Sequence, residues 1–110
     1  MLPFRVLRDA RRELLEAALW YKREEGLTVA RDFGAEYRAQ LARARQVPRS
    51  GHLMTGVPSE IELELRRFLL HRFPYAVVVA CLPQEVVVIA VAHQRRRPRY
   101  WTRRLAKVKR

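Results

Sequence analysis

The chain has 110 residues, a single cysteine and a formal net charge of +12, from 23 Lys and Arg against 11 Asp and Glu. That length predicts one domain able to bury a core without cross-links, and lone Cys81 excludes an internal disulfide or a cysteine-built zinc site. So basic a balance points to polyanionic partners: DNA, RNA or an acidic protein.

Leu2, Phe4 and Val6 alternate with Pro3 and Arg5, predicting a short first strand whose beginning, at Pro3, lies at a sheet edge. Asp9 reads as an N-cap for a helix over 10–25, with Leu14, Leu15, Ala18, Leu19 and Tyr21 as its apolar stripe and Gly26 as its stop. Thr28 reads as the cap of a second helix running to Gln46. In it Val29, Phe33, Tyr37 and Leu41 recur every four residues beside Ala30 and Ala44. Gly34 costs that helix ~1 kcal/mol relative to Ala and suggests close packing on the first helix. So short a link makes the two helices an antiparallel hairpin, and both stripes read as core.

Residues 47–58, with Pro48, Ser50, Gly51, Gly56 and Pro58, read as a loop carrying an exposed His52. Residues 59–73 admit two readings. Ser59 and Glu62 have capping-box spacing, whereas Ile61, Leu63 and Leu65 alternate with charged residues as a strand would. The alternation slips at Arg66-Arg67, where a bulge would account for it. Val77-Val78-Val79 and Val86-Val87-Val88-Ile89 then form two buried strands, turning at Pro83-Gln84-Glu85. Cys81 falls in the first of these as a small buried hydrophobe.

The expected class is α+β: strand, helix, helix and three strands, an antiparallel-dominated sheet with the helix hairpin on one face. A single domain spans 1–110, with 95–110 as a basic tail. From His93 onward there is no acid, against Arg95, Arg96, Arg97, Arg99, Arg103, Arg104, Lys107, Lys109 and Arg110. Lys107 to Arg110 read as a frayed end; Arg95 to Arg104 read as functional, because Tyr100 and Trp101 lie among them. Residues 1–7 are too short and too soon charged for a signal peptide, and 77–92 are too short to span a bilayer, so a cytoplasmic location is expected.

Three stretches carry a family resemblance. Ala10-Arg11-Arg12-Glu13-Leu14 with Ala17-Ala18-Leu19-Trp20-Tyr21 resembles the first helix of the RelE/ParE toxin superfamily. Arg66 to Val78 (RRFLLHRFPYAVV) resembles its hairpin, and Val87 to Trp101 (VVIAVAHQRRRPRYW) its last strand and C-terminal motif. The resemblance implies the toxin of a type II toxin–antitoxin module, often described as plasmid stabilisation, restrained by an antitoxin that wraps around it. It also favours strand for 61–70.

ParE-like members poison DNA gyrase without catalysis of their own; RelE-like members cut messenger RNA on the ribosome without a metal. The ending resembles the ParE-like and unassigned plasmid-stabilisation branches. The lysines that several RelE-like members carry in their central strands have no counterpart here, since none occurs between Lys22 and Lys107. The partner-facing residues are then Arg67, His71, Arg72, Arg95, Arg96, Arg97, Arg99, Tyr100 and Trp101. A RelE-like mechanism would use His93 as base with Arg72, Arg95 and Tyr100. A third reading is a basic nucleic-acid-binding module with no toxin role. No cofactor or metal is expected under any of them.

Overall fold

A computed structural model of the chain describes residues 1–56 and 62–108. Its elements in order are β1 (Phe4–Val6), α1 (Arg8–Glu25), α2 (Leu27–Gln46), a 3-10 turn (Pro48–Ser50), β2 (His52–Leu53), β3 (Glu64–Leu69), β4 (Tyr75–Cys81), β5 (Val86–His93) and a 3-10 helix (Thr102–Lys107). The five strands form one sheet in the order β1-β5-β4-β3-β2. β1 runs parallel to β5 and every other pairing is antiparallel. The α+β class and the helix hairpin on one face are as expected. β1 is an edge strand, and the Pro3 carbonyl accepts from the Val86 N–H.

Both helix starts differ from expectation. α1 begins at Arg8 after Leu7, with no side-chain cap. The Leu7 N–H donates to the Val88 carbonyl, so the sheet sets the helix entry and Asp9 falls inside the first turn, free for tertiary partners. Thr28 likewise lies inside α2, because Gly26 alone joins the helices. Its φ of +98° is open to glycine without penalty, its N–H closes α1 on the Lys22 carbonyl, and its carbonyl accepts from Ala30 in α2.

The α1 stripe is also rotated. Ala10, Ala17 and Tyr21 are buried, with Leu14 and Ala18 partly so, while Leu15 (56%), Leu19 (59%) and Trp20 (47%) face outward. Small residues in the buried phase let the helix lie close to the sheet, so the larger leucines fall on the far side. α2 buries Phe33, Tyr37, Leu41 and Ala44 as its period predicts. Gly34 does not touch α1: a side chain there would meet only the Arg38 guanidinium.

Apolar cores lie on both faces of the sheet. The helix-side core joins Phe33, Tyr37, Tyr21 and Phe73 to Phe68, Val77, Val79, Val86, Val88 and Val91. The opposite core joins Trp101, Leu105 and Val108 to Leu65, Val78, Ala80, Val87 and Ile89. This two-faced burial accounts for the slip at Arg66-Arg67 without a bulge. Leu65 faces one core and Phe68 the other, and β3 keeps an unbroken register with β4 from Glu64↔Cys81 to Leu69↔Ala76. The irregularity lies instead between β4 and β5, where Val78 pairs with Ala90 but Val79 with Val88. Ile89 is the extra residue, and it lets Val88 and Val91, three apart, both face the helices.

The expected loop over 47–58 contains β2, which pairs His52 with Arg67 and Leu53 with Arg66. Gly51 permits this turn, because a Cβ there would sit 2.5 Å from the Phe68 ring. The capping-box residue Ser59 and the strand expected from Ile61 lie partly outside the described residues; β3 proper starts at Glu64. The end of the chain is not frayed at Lys107 and Val108. Lys107 closes the 3-10 helix and donates to Asp9 at 3.1 Å, and Val108 is buried.

Candidate functional site

Beyond Val88, β5 outruns its three-residue neighbour β1, so the backbone groups of that edge need other partners. Two side chains supply them. The Val91 N–H donates to Glu13 Oε1 at 3.0 Å, and the Ile89 carbonyl accepts from Arg104 Nη1 at 3.1 Å. Glu13 and Arg104 also form a two-pronged ion pair, Nη1 to Oε1 at 2.8 Å and Nη2 to Oε2 at 3.0 Å, with the Glu13 side chain only 9% exposed. The Tyr100 hydroxyl donates to Glu13 Oε2. Two guanidiniums lie over the Tyr100 ring, Arg96 at 3.9 Å and Arg104 at 5.2 Å from the centroid.

Burial, then the Glu13 carboxylate, pushes the Tyr100 phenol well above its usual range. Arg104 is held further toward its cationic form by Glu13, against the pull of burial. Asp9 adds a second anchor: the Lys107 hydrogen bond leads in lowering its carboxyl below the usual value.

This polar clasp presses residues 100–108 onto one end of the sheet's second face and leaves the other end open. The opening is a groove of about 480 Å³. His52, Met54 and Thr55 wall one side, Arg67 and Leu69 of β3 with Ala76 and Val78 of β4 form the floor, and His93 to Trp101 wall the other. Four arginines line it, Arg67, Arg96, Arg97 and Arg99, with two histidines, and no carboxylate is found among the described residues that line it. Arg99 takes a left-handed φ of +57°, and its Nη1 donates to the Thr55 carbonyl at 3.4 Å. Gly56 makes room for that guanidinium, since a Cβ there would stand 2.8 Å from Arg99 Nη1.

The expected site residues divide. Arg67, His93, Arg96, Arg97, Arg99 and Tyr100 come together at the groove. Trp101 borders it but is 2% exposed, so it belongs to the second core and is not a free surface for a partner. His71 and Arg72 lie elsewhere, on the β3–β4 turn against α2. Both of their N–H groups donate to Glu36 Oε1, and the Arg72 guanidinium holds Asp32 at 3.0 Å and Glu36 at 3.7 Å. The Arg95 side chain is exposed and does not line the groove; its N–H donates to His93 Nδ1 at 3.0 Å. The proposed quartet His93, Arg72, Arg95 and Tyr100 therefore does not surround one space.

The roles of Glu13, Arg104 and Asp9, which set the groove's shape, differ from expectation: Asp9 is no N-cap, and Arg104 of the arginine cluster is tied up in an ion pair with Glu13. A signal was present. Glu13 lies in phase with buried Ala10 and Ala17, and Trp101, Leu105 and Val108 are spaced as one apolar face. Burial raises the Cys81 thiol above its usual value, in keeping with a packing role.

A second groove, of about 740 Å³, runs between α1 and the ends of β4 and β5, lined by Leu19, Trp20, Tyr75, Val91, His93 and Tyr100 among others. The His93 ring is shared by both, and packs edge-on against Tyr75 at 5.0 Å. No described helix is long and apolar enough to cross a membrane.

The family model for the ParE toxin of type II toxin–antitoxin systems, parDE, matches residues 4–98. Among solved structures, the chromosomal ParDE TA system from P. aeruginosa is similar in fold, with a TM-score of 0.68 and 19% sequence identity, covering 84% of this chain and 96% of that one. A search of curated proteins gave no match.

Proposed function

We propose, for a chain that belongs to the ParE toxin family of type II toxin–antitoxin systems, that it acts by binding and poisoning DNA gyrase. The supporting observation is the state of His93. With the Arg95 N–H donated to Nδ1, the neutral ring carries its proton on Nε2, which makes it a donor where message cleavage needs a base. The Tyr100 hydroxyl, which donates its hydrogen bond to Glu13, and Arg72, paired with Asp32 and Glu36, are committed in the same way. A surface built so suits recognition better than proton transfer.

The decisive experiment incubates purified toxin with gyrase and supercoiled plasmid, then adds detergent and protease. Accumulated cleaved DNA is the expected result, with filamentation and DNA-damage signalling on induction in bacteria. Translation arrest with cleaved messages and no gyrase effect would instead support the ribosome-dependent nuclease reading, which His93's place among the groove arginines keeps in view. In that case His93→Gln must abolish cleavage with the fold intact. Harmless overexpression would favour the non-toxic module.

The partner we propose is a cognate acidic antitoxin, with both proteins in the cytoplasm. Leu15, Leu19 and Trp20 give such a partner exposed apolar anchors beside the second groove, and the arginines give it charge complementarity. Co-purification from a host expressing the neighbouring reading frame tests it; failure to form a complex would count against it.

A further inference from the structure

We infer that the arginine-lined groove binds the phosphodiester backbone of duplex DNA, so that the toxin contacts DNA directly. The biological setting, DNA held in a gyrase complex, rests on the gyrase reading above; the binding itself does not. Arg67, Arg97 and Arg99 are exposed, have no carboxylate partner among the described residues, and converge on one concave space from β3 and from the segment after β5. By contrast Arg66, Arg72 and Arg104, outside the groove, each hold an acid within 4 Å. The fourth groove arginine, Arg96, stands 3.8 Å from Glu13, and arginines elsewhere, Arg31 and Arg38 among them, also have no acid partner among the described residues. What distinguishes Arg67, Arg97 and Arg99 is that all three border one concave space, where they are available for phosphate oxygens.

Two further features show that the arrangement is built. Arg99 is held in a left-handed backbone conformation, and Gly56 supplies the space in which its guanidinium rests on the β2 side of the groove. Both cost the chain conformational freedom, and together they fix one cation at the mouth.

Aromatic chemistry decides between duplex and single strand. Recognition of single-stranded RNA or DNA relies on bases stacked on open aromatic faces. Here Trp101 is buried and guanidiniums lie over the Tyr100 ring, so the groove offers cations and little stacking surface. Such a site favours phosphates, independent of sequence, with strong salt dependence.

The test uses the full-length toxin alone, with a fluorescently labelled duplex of about 20 base pairs and arbitrary sequence, over a salt series. Binding is expected to weaken linearly on a log–log plot. Arg97→Glu with Arg99→Glu should cut affinity at least roughly tenfold and flatten the slope by about 2, one for each lost phosphate contact. Arg31→Glu with Arg38→Glu, an equal change of charge on exposed positions of α2, should leave affinity within about threefold, and thermal unfolding should show all variants folded.

Equal losses in the two pairs would overturn the proposal, leaving only net charge. Tighter binding of single-stranded RNA than of duplex, lost in the groove variant, would overturn it in favour of an RNA site. No duplex binding by the wild type, with antitoxin affinity lost in the groove variant, would assign the groove to an acidic peptide. Gyrase cleavage is measured in a separate reaction, so duplex binding without gyrase poisoning would reject the gyrase reading and keep the groove, and the converse result would do the opposite.

Discussion

Arg104 grips Glu13 with both prongs of its guanidinium, at 2.8 and 3.0 Å, and so ties the last helical turns to the first helix across 91 positions of sequence. Both side chains are nearly shielded from water, and each also satisfies a backbone group of β5, Val91 N–H for Glu13 and the Ile89 carbonyl for Arg104. The pair therefore closes the open edge that β1 is too short to cover.

Removing one partner leaves the other charge without its counter-ion in a poorly hydrated place. Glu13→Gln should lower unfolding stability by about 3 kcal/mol, read from denaturant titration. Arg104→Met combined with Glu13→Gln should cost less than the sum of the two single changes, because the second substitution removes the stranded charge. Strict additivity would show that the two side chains do not act as a pair.

The same clasp makes stability depend on alkaline pH. The folded Tyr100 phenol ionises above its ordinary value near 10. Its contribution is fully present below that value and is lost as pH rises from there toward the folded pKa. The thermal midpoint of the wild type should fall over that window more steeply than that of Tyr100→Phe. Asp9 works in the opposite direction. Its folded pKa is lowered, so its contribution holds above the ordinary 3.8 and disappears as pH drops through the lower folded value. Asp9→Asn should correspondingly flatten the acid limb.

Trp101→Ala should cost about 4 kcal/mol, since the indole fills the second core against the sheet. The loss should release the C-terminal segment first. Amide exchange would then speed up over 102–108 while β4 stays protected. Uniform loss of protection would mean that the segment folds only with the whole domain.

Gly51→Ala forces a Cβ to 2.5 Å from the Phe68 ring, which is buried and has little room to yield. A cost of about 2 kcal/mol is expected from chemical denaturation. Leu19→Ser and Trp20→Ala change exposed positions and should shift stability by less than about 0.5 kcal/mol each. If the antitoxin docks there, both should weaken its binding.

The first strand, the helix pair, the two valine-rich strands, the turn at Pro83–Glu85 and the α2 face were legible in the sequence, because they follow from local period and turn chemistry. β2 and the C-terminal 3-10 helix were not, and β3 was left open by local pattern. The concentration of arginines after His93 was equally plain, as was the resemblance to a toxin family. Local pattern did not reveal that the tail is a structural layer. Read one residue at a time it is a string of charges, and the spacing of Trp101, Leu105 and Val108 acquires meaning only once a second apolar face of the sheet exists to receive it.

The α1 stripe failed for a related reason: size suggested Leu15 and Leu19, whereas packing distance selected Ala10 and Ala17. Which arginines are free is likewise a tertiary fact. Arg72 and Arg104 find carboxylates brought from distant positions of the chain, whereas Arg67, Arg97 and Arg99 stand together at the groove with none among the described residues. Composition determined that this protein carries excess positive charge; only the fold, by pairing some cations across the chain and sparing others, decided where that charge can act.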